Sequence, residues 1–213
     1  MLNSFIAIEG NIGAGKTTLT RLLAKKLSAQ LILEEFAENP FLPKFYDHPD
    51  RYAFQLELFF LADRYHQLTR TLSSPDLFNQ MTLSDYFIGK SLIFAKSNLE
   101  GDEYQLFNNL YRIMYSSLPK PDLLVYLYLP VQQLMTNIKK RGREYEQGIK
   151  AEYLEKIQQQ YFDFLKQQLN ISVLVLNLEK IKFIDENTHI DRLIKMIDRK
   201  YPAGLNFIDF PDS

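Results

Sequence analysis

Three glycines, a lysine and a threonine lie close together near the start of the chain, in the stretch Gly10-Asn11-Ile12-Gly13-Ala14-Gly15-Lys16-Thr17. This stretch fits the pattern G-x-x-x-x-G-K-[ST], in which glycines allow a tight turn that points backbone N–H groups at phosphate oxygens. Lys16 can reach the β- and γ-phosphates of a nucleotide, and Thr17 can be a ligand of Mg²⁺. The stretch therefore predicts a phosphate-binding loop for ATP and Mg²⁺.

The segments on either side of this loop are those that the motif requires. Phe5-Ile6-Ala7-Ile8 is a short apolar run that predicts a buried strand. Leucines follow at helical spacing from Leu19, so the loop leads into a helix whose N-terminus favours anions. Thr18 lies at this N-terminus and is included in the predicted nucleotide site. A glycine turn with a solvated lysine would not explain Lys-Thr at this spacing.

Two arginines flank a glycine later in the chain, in the charged stretch Arg141-Gly142-Arg143-Glu144-Tyr145-Glu146-Gln147-Gly148. In a loop, such guanidinium groups can close over transferring phosphates and neutralise the charge that develops there. The alternative is a solvated charged turn. Because a phosphate loop is present, we predict that Arg141 and Arg143 belong to a lid over about residues 141–149.

Short apolar stretches alternate with longer amphipathic ones along the chain. Strands are predicted near residues 5–8, 31–33, 81–84, 123–129 and 173–176, and helices near 50–73, 89–97, 103–117, 131–140, 151–169 and after Thr188. This alternation favours an α/β fold in which a five-stranded parallel sheet is flanked by helices, in a single domain over residues 1–213. The tail, about residues 202–213, is partly apolar and could dock on the body or on a partner, or be loosely packed.

Composition narrows the function classes. The chain has 25 basic and 26 acidic residues, whereas nucleic-acid-binding proteins usually have a basic excess. It has no cysteine and three histidines, which excludes disulfides and argues against a thiolate or histidine metal site. It has no apolar run of about 18 residues that could span a membrane, and it starts without signal-peptide features. We therefore expect a cytoplasmic protein that binds neither nucleic acid nor membrane.

The two charged motifs together resemble those of the deoxynucleoside kinases. The resemblance lies in Ile8-Glu9-Gly10 to Thr17, in the lid from Arg141 to Ile149 and in Glu152-Tyr153-Leu154-Glu155-Lys156, and it extends over about residues 4–196. It implies a three-layer P-loop kinase fold, a homodimer, and transfer of the ATP γ-phosphate to the 5′-hydroxyl of a deoxynucleoside. The phosphoryl group would be stabilised by Lys16, Arg141 and Arg143.

The resemblance also implies further site residues. Glu34 occupies the position of the general base, with Glu35 as an alternative if the alignment shifts by one residue. Tyr46 and Glu146 match the pair that holds the sugar 3′-hydroxyl. Arg64 matches an arginine near the base. Arg141 and Phe183 would contact ATP, the latter at the adenine.

Three positions depart from the family pattern. Ser84-Asp85-Tyr86 lacks the arginine that the family has after this strand, although Asp85 could still be a ligand of Mg²⁺ or could cap a turn. Lys90 replaces an aspartate near the base, and Glu57 replaces a glutamine that hydrogen-bonds the base edge. An ionised carboxylate only accepts hydrogen bonds, so Glu57 suits two adjacent donors, as in guanine or a pterin. Alternatively, Glu57 pairs with Lys90 or Arg64 and contacts no base.

These observations predict a deoxynucleoside kinase, and Glu57 favours a purine as its acceptor. Two alternatives remain open from the sequence. One is a P-loop kinase that acts on a nucleoside monophosphate or a pterin-like alcohol. The other is a nucleotide-binding module with impaired catalysis, which the missing arginine favours and the retained Glu34, Arg141 and Arg143 oppose.

Overall fold

A computed structural model describes residues 3–35, 39–72, 81–181 and 187–210 of the protein. Within these ranges, six parallel strands form one sheet in the order β2-β3-β1-β4-β5-β6. The strands are β1 (Phe5–Gly10), β2 (Gln30–Ile32), β3 (Thr82–Ser84), β4 (Leu123–Tyr128), β5 (Ser172–Asn177) and β6 (Gly204–Asp209). The helices are α1 (Lys16–Leu27), α2 (Leu42–Asp47), α3 (Pro49–Leu72), α4 (Gly89–Asn98), α5 (Gly101–Ser116), α6 (Val131–Arg141), α7 (Ala151–Leu165) and α8 (Asn187–Ile197), with a 3₁₀ turn at Glu144–Glu146.

The central strands are buried on both faces, as their continuous apolar runs predict. On one face, Ala7 and Tyr126 pack in a core with residues of α3, α4, α5 and α7. On the other face, Ile8 and Val125 pack in a second core with residues of α1, α6 and α8. The predicted α/β fold with helices on both sides of a parallel sheet is thus confirmed.

The number of strands differs from the prediction. The sequence predicted five, whereas the tail contributes a sixth, β6, which pairs with β5 from Ser172↔Gly204 to Asn177↔Asp209. It lies at the edge of the sheet, where its residues are only partly covered and Phe207 is 67% exposed. Because no second layer covers it fully, this strand lacks the apolar run that marks the central strands.

The order of the sheet brings three strand ends together. β3 lies between β2 and β1, with Ser84 in register with both Ile32 and Ala7. The residues that follow these strands, including Glu34, Asp85 and the loop after Gly10, therefore meet at one edge. In open α/β sheets, ligands bind outside the carboxyl ends of the strands near such a switch in strand order.

None of the helices in the described ranges is long and apolar enough to cross a membrane.

Candidate active site

The loop after β1 is folded tightly around the Lys16 side chain. Lys16 Nζ donates hydrogen bonds to the carbonyl oxygens of Gly10 (2.8 Å) and Asn11 (3.0 Å). Gly13 and Gly15 have φ angles of +83° and +84°, and a Cβ at Gly13 would lie 2.8 Å from the Leu134 carbonyl oxygen. Burial, and then the nearby charge of Lys90, lower the pKa of Lys16 to about 8. A bound phosphate would favour the charged form of this amine.

The predicted nucleotide-binding residues face two cavities. Ile12, Gly13, Lys16 and Thr17 line a cleft between the sheet edge, α3, α4 and the arginine loop. Ala14, Gly15 and Thr18 line a second cavity, bounded by α6 and the loop after β5. Two cavities that share one phosphate loop suit two ligands that meet at a phosphate. Phe183, predicted to contact adenine, lies outside the described residues.

The Asn11 side chain serves the loop itself. Its Nδ2 donates to the Leu154 carbonyl oxygen (2.8 Å), and its Oδ1 accepts from the Ile12 N–H (2.8 Å). Asn11 is buried, so its side chain ties the loop to α7. Any contact of Asn11 with nucleotide is therefore left to its backbone.

Asp85 connects the phosphate loop with the end of β2. Its Oδ2 accepts a hydrogen bond from the Thr17 hydroxyl, and its Oδ1 accepts one from the Glu34 N–H (2.8 Å). Both possibilities raised from the sequence are thus compatible with its position, because the carboxylate organises a turn and also lines the cleft beside Thr17. These hard oxygen donors suit Mg²⁺, which takes one or two protein ligands and completes its shell with phosphates and water.

Glu34 lies in the cleft between two cations. Its Oε1 accepts hydrogen bonds from Arg64 Nε (2.9 Å) and Nη2 (2.7 Å), and its Oε2 accepts one from Lys90 Nζ (2.5 Å). Burial would raise the pKa of Glu34, but Lys90 and Arg64 outweigh it and hold that pKa well below its usual range. Glu35 is exposed and accepts from Gln67, so Glu34, not its neighbour, faces the cleft.

The two cations share one partner. The resemblance implied that Arg64 and Lys90 lie near the base of the acceptor; both line the cleft, and each forms an ion pair with Glu34. Arg64 is further fixed by a hydrogen bond from Nη1 to Ser91 Oγ (2.7 Å). Among the described residues, neither Arg64 nor Lys90 forms an ion pair with Glu57. The alternative that Glu57 pairs with one of these cations is therefore not supported.

Glu57 contributes a buried carboxylate to the same cleft. Its Oε1 accepts from Asn98 Nδ2 (2.7 Å), and Asn98 Oδ1 in turn accepts from the Tyr153 hydroxyl (3.2 Å). Its Oε2 is buried and has no hydrogen-bond partner among the described residues. Burial raises the pKa of Glu57 to about 7, against the opposing effects of Arg64 and Asn98. Oε2 can therefore accept a hydrogen bond from a ligand in the cleft.

The predicted lid arginines lie on Glu146. Arg141 donates to Glu146 Oε2 through Nε (2.9 Å) and Nη2, and Arg143 Nη1 donates to Oε1 (3.1 Å). Tyr46 stacks on Tyr145 with ring centroids 6.0 Å apart, and burial raises its pKa well above the usual value. Tyr46, Glu146 and both arginines line the cleft, so the structure brings the predicted sugar pair and the lid together.

Sequence reasoning gave no role to three residues of this region, although Tyr153 and Glu9 lie in stretches that carry the resemblance. Asn98 and Tyr153 orient Glu57, but residues of these types are common on helices and do not by themselves indicate such a role. Glu9 is buried beneath the phosphate loop and accepts hydrogen bonds from the Phe87 N–H (2.6 Å) and the Tyr161 hydroxyl (2.8 Å). A carboxylate inside an apolar strand was a visible signal for it, because unpaired buried charges are costly.

Comparison with known proteins identifies the family of this chain. A sequence model of the family described as deoxynucleoside kinase matches residues 6–201. A deoxyguanosine kinase of Bacillus subtilis (strain 168) is 36% identical over 193 residues, covering 89% of this chain and 93% of its own. A deoxyadenosine kinase of Lactobacillus acidophilus is 30% identical over 211 residues, covering 92% and 95% of the two chains. The structure of M. mycoides deoxyadenosine kinase with bound dATP superimposes with a TM-score of 0.79 at 25% identity, covering 92% of this chain and 100% of the other. The chain belongs to the deoxynucleoside kinase family.

Proposed function

We propose that this deoxynucleoside kinase takes deoxyguanosine as its preferred acceptor and transfers the γ-phosphate of ATP to the 5′-hydroxyl. The observation that carries this choice is the Glu57 carboxylate, which lines the cleft with Oε2 buried and without a partner among the described residues. The names of two relatives, deoxyguanosine kinase and deoxyadenosine kinase, support a purine acceptor.

The position of Glu57 suits contact with a base when Glu34 meets the 5′-hydroxyl. Glu57 lies two turns before Arg64 on α3, roughly 10 Å along the helix axis, and Arg64 binds Glu34. A nucleoside can extend over such a separation, with its sugar between the two carboxylates. Phe60 and Phe94 line the cleft between these groups and offer apolar surface to the ring.

The chemistry of Glu57 favours guanine over adenine. Guanine presents N1–H and the 2-amino group as adjacent donors, and an ionised carboxylate accepts from both sides of such an edge. Adenine presents the acceptor N1 at this place, which would leave a buried carboxylate oxygen facing a lone pair. A site that leaves a buried polar group unpaired rejects the wrong ligand.

In the proposed transfer, Glu34 accepts the proton of the 5′-hydroxyl as its oxygen bonds to the γ-phosphorus. The bond from that phosphorus to the β,γ-bridging oxygen breaks, and its electron pair leaves with ADP. Lys16, Arg141 and Arg143 neutralise the charge on the phosphoryl oxygens, since phosphoryl transfer depends mainly on positioning and charge. For this, Arg141 and Arg143 would release Glu146 and donate their hydrogen bonds to the phosphoryl oxygens instead.

The sugar and the metal complete the proposed site. Tyr46 and Glu146 would hold the 3′-hydroxyl. Thr17 and Asp85 would hold Mg²⁺, which when bound draws negative charge from the phosphates of ATP. The family resemblance further supports a cytoplasmic homodimer. Light scattering would measure its mass in solution.

A monophosphate acceptor is not favoured. Such an acceptor carries a phosphate at the 5′ position and needs free cations there. Arg64 instead uses Nε, Nη1 and Nη2 on Glu34 and Ser91. Arg51 does not line the cleft, and Lys90, which does, is paired with Glu34.

The test is phosphate transfer from ATP and Mg²⁺ to deoxyguanosine, deoxyinosine, deoxyadenosine, deoxycytidine and thymidine. We expect deoxyguanosine to have the highest kcat/KM, with deoxyinosine next because it keeps the N1–H donor and lacks the amino group. Lys16→Ala and Glu34→Gln should abolish transfer to every acceptor. Equal kcat/KM for deoxyguanosine and thymidine would refute the acceptor assignment and leave the kinase chemistry intact.

A further inference from the structure

Lys90 supplies a second amine to the phosphate end of the cleft. It lies in the first turn of α4 and is 7% exposed. Among the described residues, its ammonium has a single hydrogen-bond partner, Glu34 Oε2 at 2.5 Å. An ammonium has three donors, so this contact leaves capacity for an anion in the cleft that Lys90 and Lys16 both line.

Arg64 and Lys90 hold Glu34 in different ways. Arg64 binds Glu34 and Ser91 through three nitrogens, and its guanidinium lies over the Phe60 ring, 4.8 Å from the centroid. That side chain is fixed on several sides. Lys90 has a flexible stem, one hydrogen bond and a more distant ring contact, with Nζ 5.6 Å from the Phe94 centroid, so it is the cation that can change partner during a reaction.

The charges around Lys90 favour an anion between it and Lys16. Both amines line the same cleft, where Lys90 is buried and Lys16 is partly buried. Like charges held together in a buried site repel, and a phosphoryl group between them would relieve this repulsion. Tyr86, in the stretch Ser84-Asp85-Tyr86 that lacks the arginine of the family pattern, is buried with its hydroxyl on Gln67 and does not reach the cleft.

We propose that Lys90 is a catalytic residue, whose ammonium holds Glu34 in the free enzyme and contacts the transferring γ-phosphoryl group during the reaction. Lys90 thereby supplies from α4 the cation that Ser84-Asp85-Tyr86 lacks. The proposal rests on Glu34 as the base, and it is independent of which deoxynucleoside is the acceptor.

The electrostatics of the step explain why the partner would change. Oε1 of Glu34 already accepts two hydrogen bonds from Arg64, so Oε2 is the oxygen with room for the 5′-hydroxyl proton. Once that proton arrives, Glu34 is neutral and no longer attracts the ammonium. Negative charge meanwhile gathers on the oxygens of the phosphoryl group, which moves from the β,γ-bridging oxygen to the 5′-oxygen. Lys90 can then neutralise this charge opposite Lys16.

The test compares Lys90→Met and Lys90→Arg with Lys96→Met, an exposed lysine on the same helix. Each is assayed with the acceptor that the wild type phosphorylates best. For Lys90→Met we expect kcat to fall by about 100- to 1,000-fold, the loss typical of one charge-stabilising donor, with the acceptor KM little changed. Lys90→Arg should recover part of kcat, and Lys96→Met should match the wild type.

The split between kcat and KM, together with the partial rescue by Lys90→Arg, separates this role from a structural one. Loss of an interaction that is made only in the transition state lowers kcat and kcat/KM equally. A cation of the same charge can restore part of that interaction, whereas a role in packing alone would show no such rescue.

Two results would overturn the proposal. One is a kcat for Lys90→Met within a few-fold of Lys96→Met. The other is a loss confined to the acceptor KM, since that would mean a binding role only. If Lys90→Met does not fold by circular dichroism, Lys90→Gln is measured with the same expected fall in kcat.

Discussion

Replacement of Glu57 by glutamine tests the acceptor site through both stability and specificity. Burial raises the pKa of Glu57 from 4.5 to about 7 in the folded protein. A group whose pKa is higher in the folded state contributes stability that is complete below the unfolded pKa and is lost as pH rises through the folded pKa. The wild type should therefore lose stability between about pH 4.5 and pH 7, and Glu57→Gln should not.

The size of this effect follows from the shift. The pKa of Glu57 rises from 4.5 to about 7 on folding. At about 1.4 kcal/mol per pKa unit, this rise corresponds to about 3 kcal/mol of unfolding free energy. The quantity to compare is the unfolding free energy of Glu57→Gln minus that of the wild type. We expect this difference to be about 3 kcal/mol larger at about pH 8 than at about pH 4, because only the wild type loses stability over this range. Urea unfolding at the two pH values measures it. Glu155→Gln, an exposed change on α7, is the control.

The same change should alter acceptor choice. Ionised Glu57 accepts from guanine, so the KM of the wild type for deoxyguanosine should fall as pH rises through about 7. In Glu57→Gln this dependence should disappear. One unpaired buried polar contact costs about 1–3 kcal/mol, so kcat/KM for deoxyguanosine should fall by about 5- to 150-fold relative to deoxyadenosine. An unchanged preference together with a flat stability difference would refute the assignment of Glu57 as a buried, ionisable base contact.

Two further predictions concern the phosphate end of the site. Asp85→Asn removes the carboxylate that accepts from Thr17 and from the Glu34 N–H; we expect the Mg²⁺ concentration for half-maximal activity to rise about tenfold or more, and an unchanged Mg²⁺ titration would contradict Asp85 as a ligand. Gly13→Ala places a Cβ 2.8 Å from the Leu134 carbonyl oxygen at a φ of +83°; we expect a loss of about 1–3 kcal/mol in unfolding free energy and weaker ATP binding by calorimetry. Gly148→Ala, whose Cβ would meet nothing within 4 Å, is its control and should match the wild type.

The fold was largely predictable, because its main signals are local. The continuous apolar runs of β1 and β4 indicate strands covered on both faces, and the alternation with helices indicates a parallel sheet. The helix predicted near residues 50–73 is α3, Pro49–Leu72. β6 escaped prediction because an edge strand with exposed positions has no such run.

The site divides in the same way. The phosphate loop depends on glycine conformations and on a lysine within a few residues, so its type and place follow from Gly10 to Thr17 alone. The lid arginines were likewise visible as a local cluster. The partner of these arginines was not visible in the sequence. Glu146 reaches both Arg141 and Arg143 because the 3₁₀ turn after α6 folds it back towards them.

The sequence by itself thus determined the chemistry that the chain can perform, since nucleotide phosphates are recognised by a short local motif. Tertiary structure decided which charges meet. Glu34 lies 30 residues from Arg64 and 56 from Lys90 along the chain, and Glu57 lies 41 from Asn98. These contacts arise because α3 packs against both β2 and α4. Carboxylates and cations pair there because buried charges without partners are costly, and no local pattern specifies the partner.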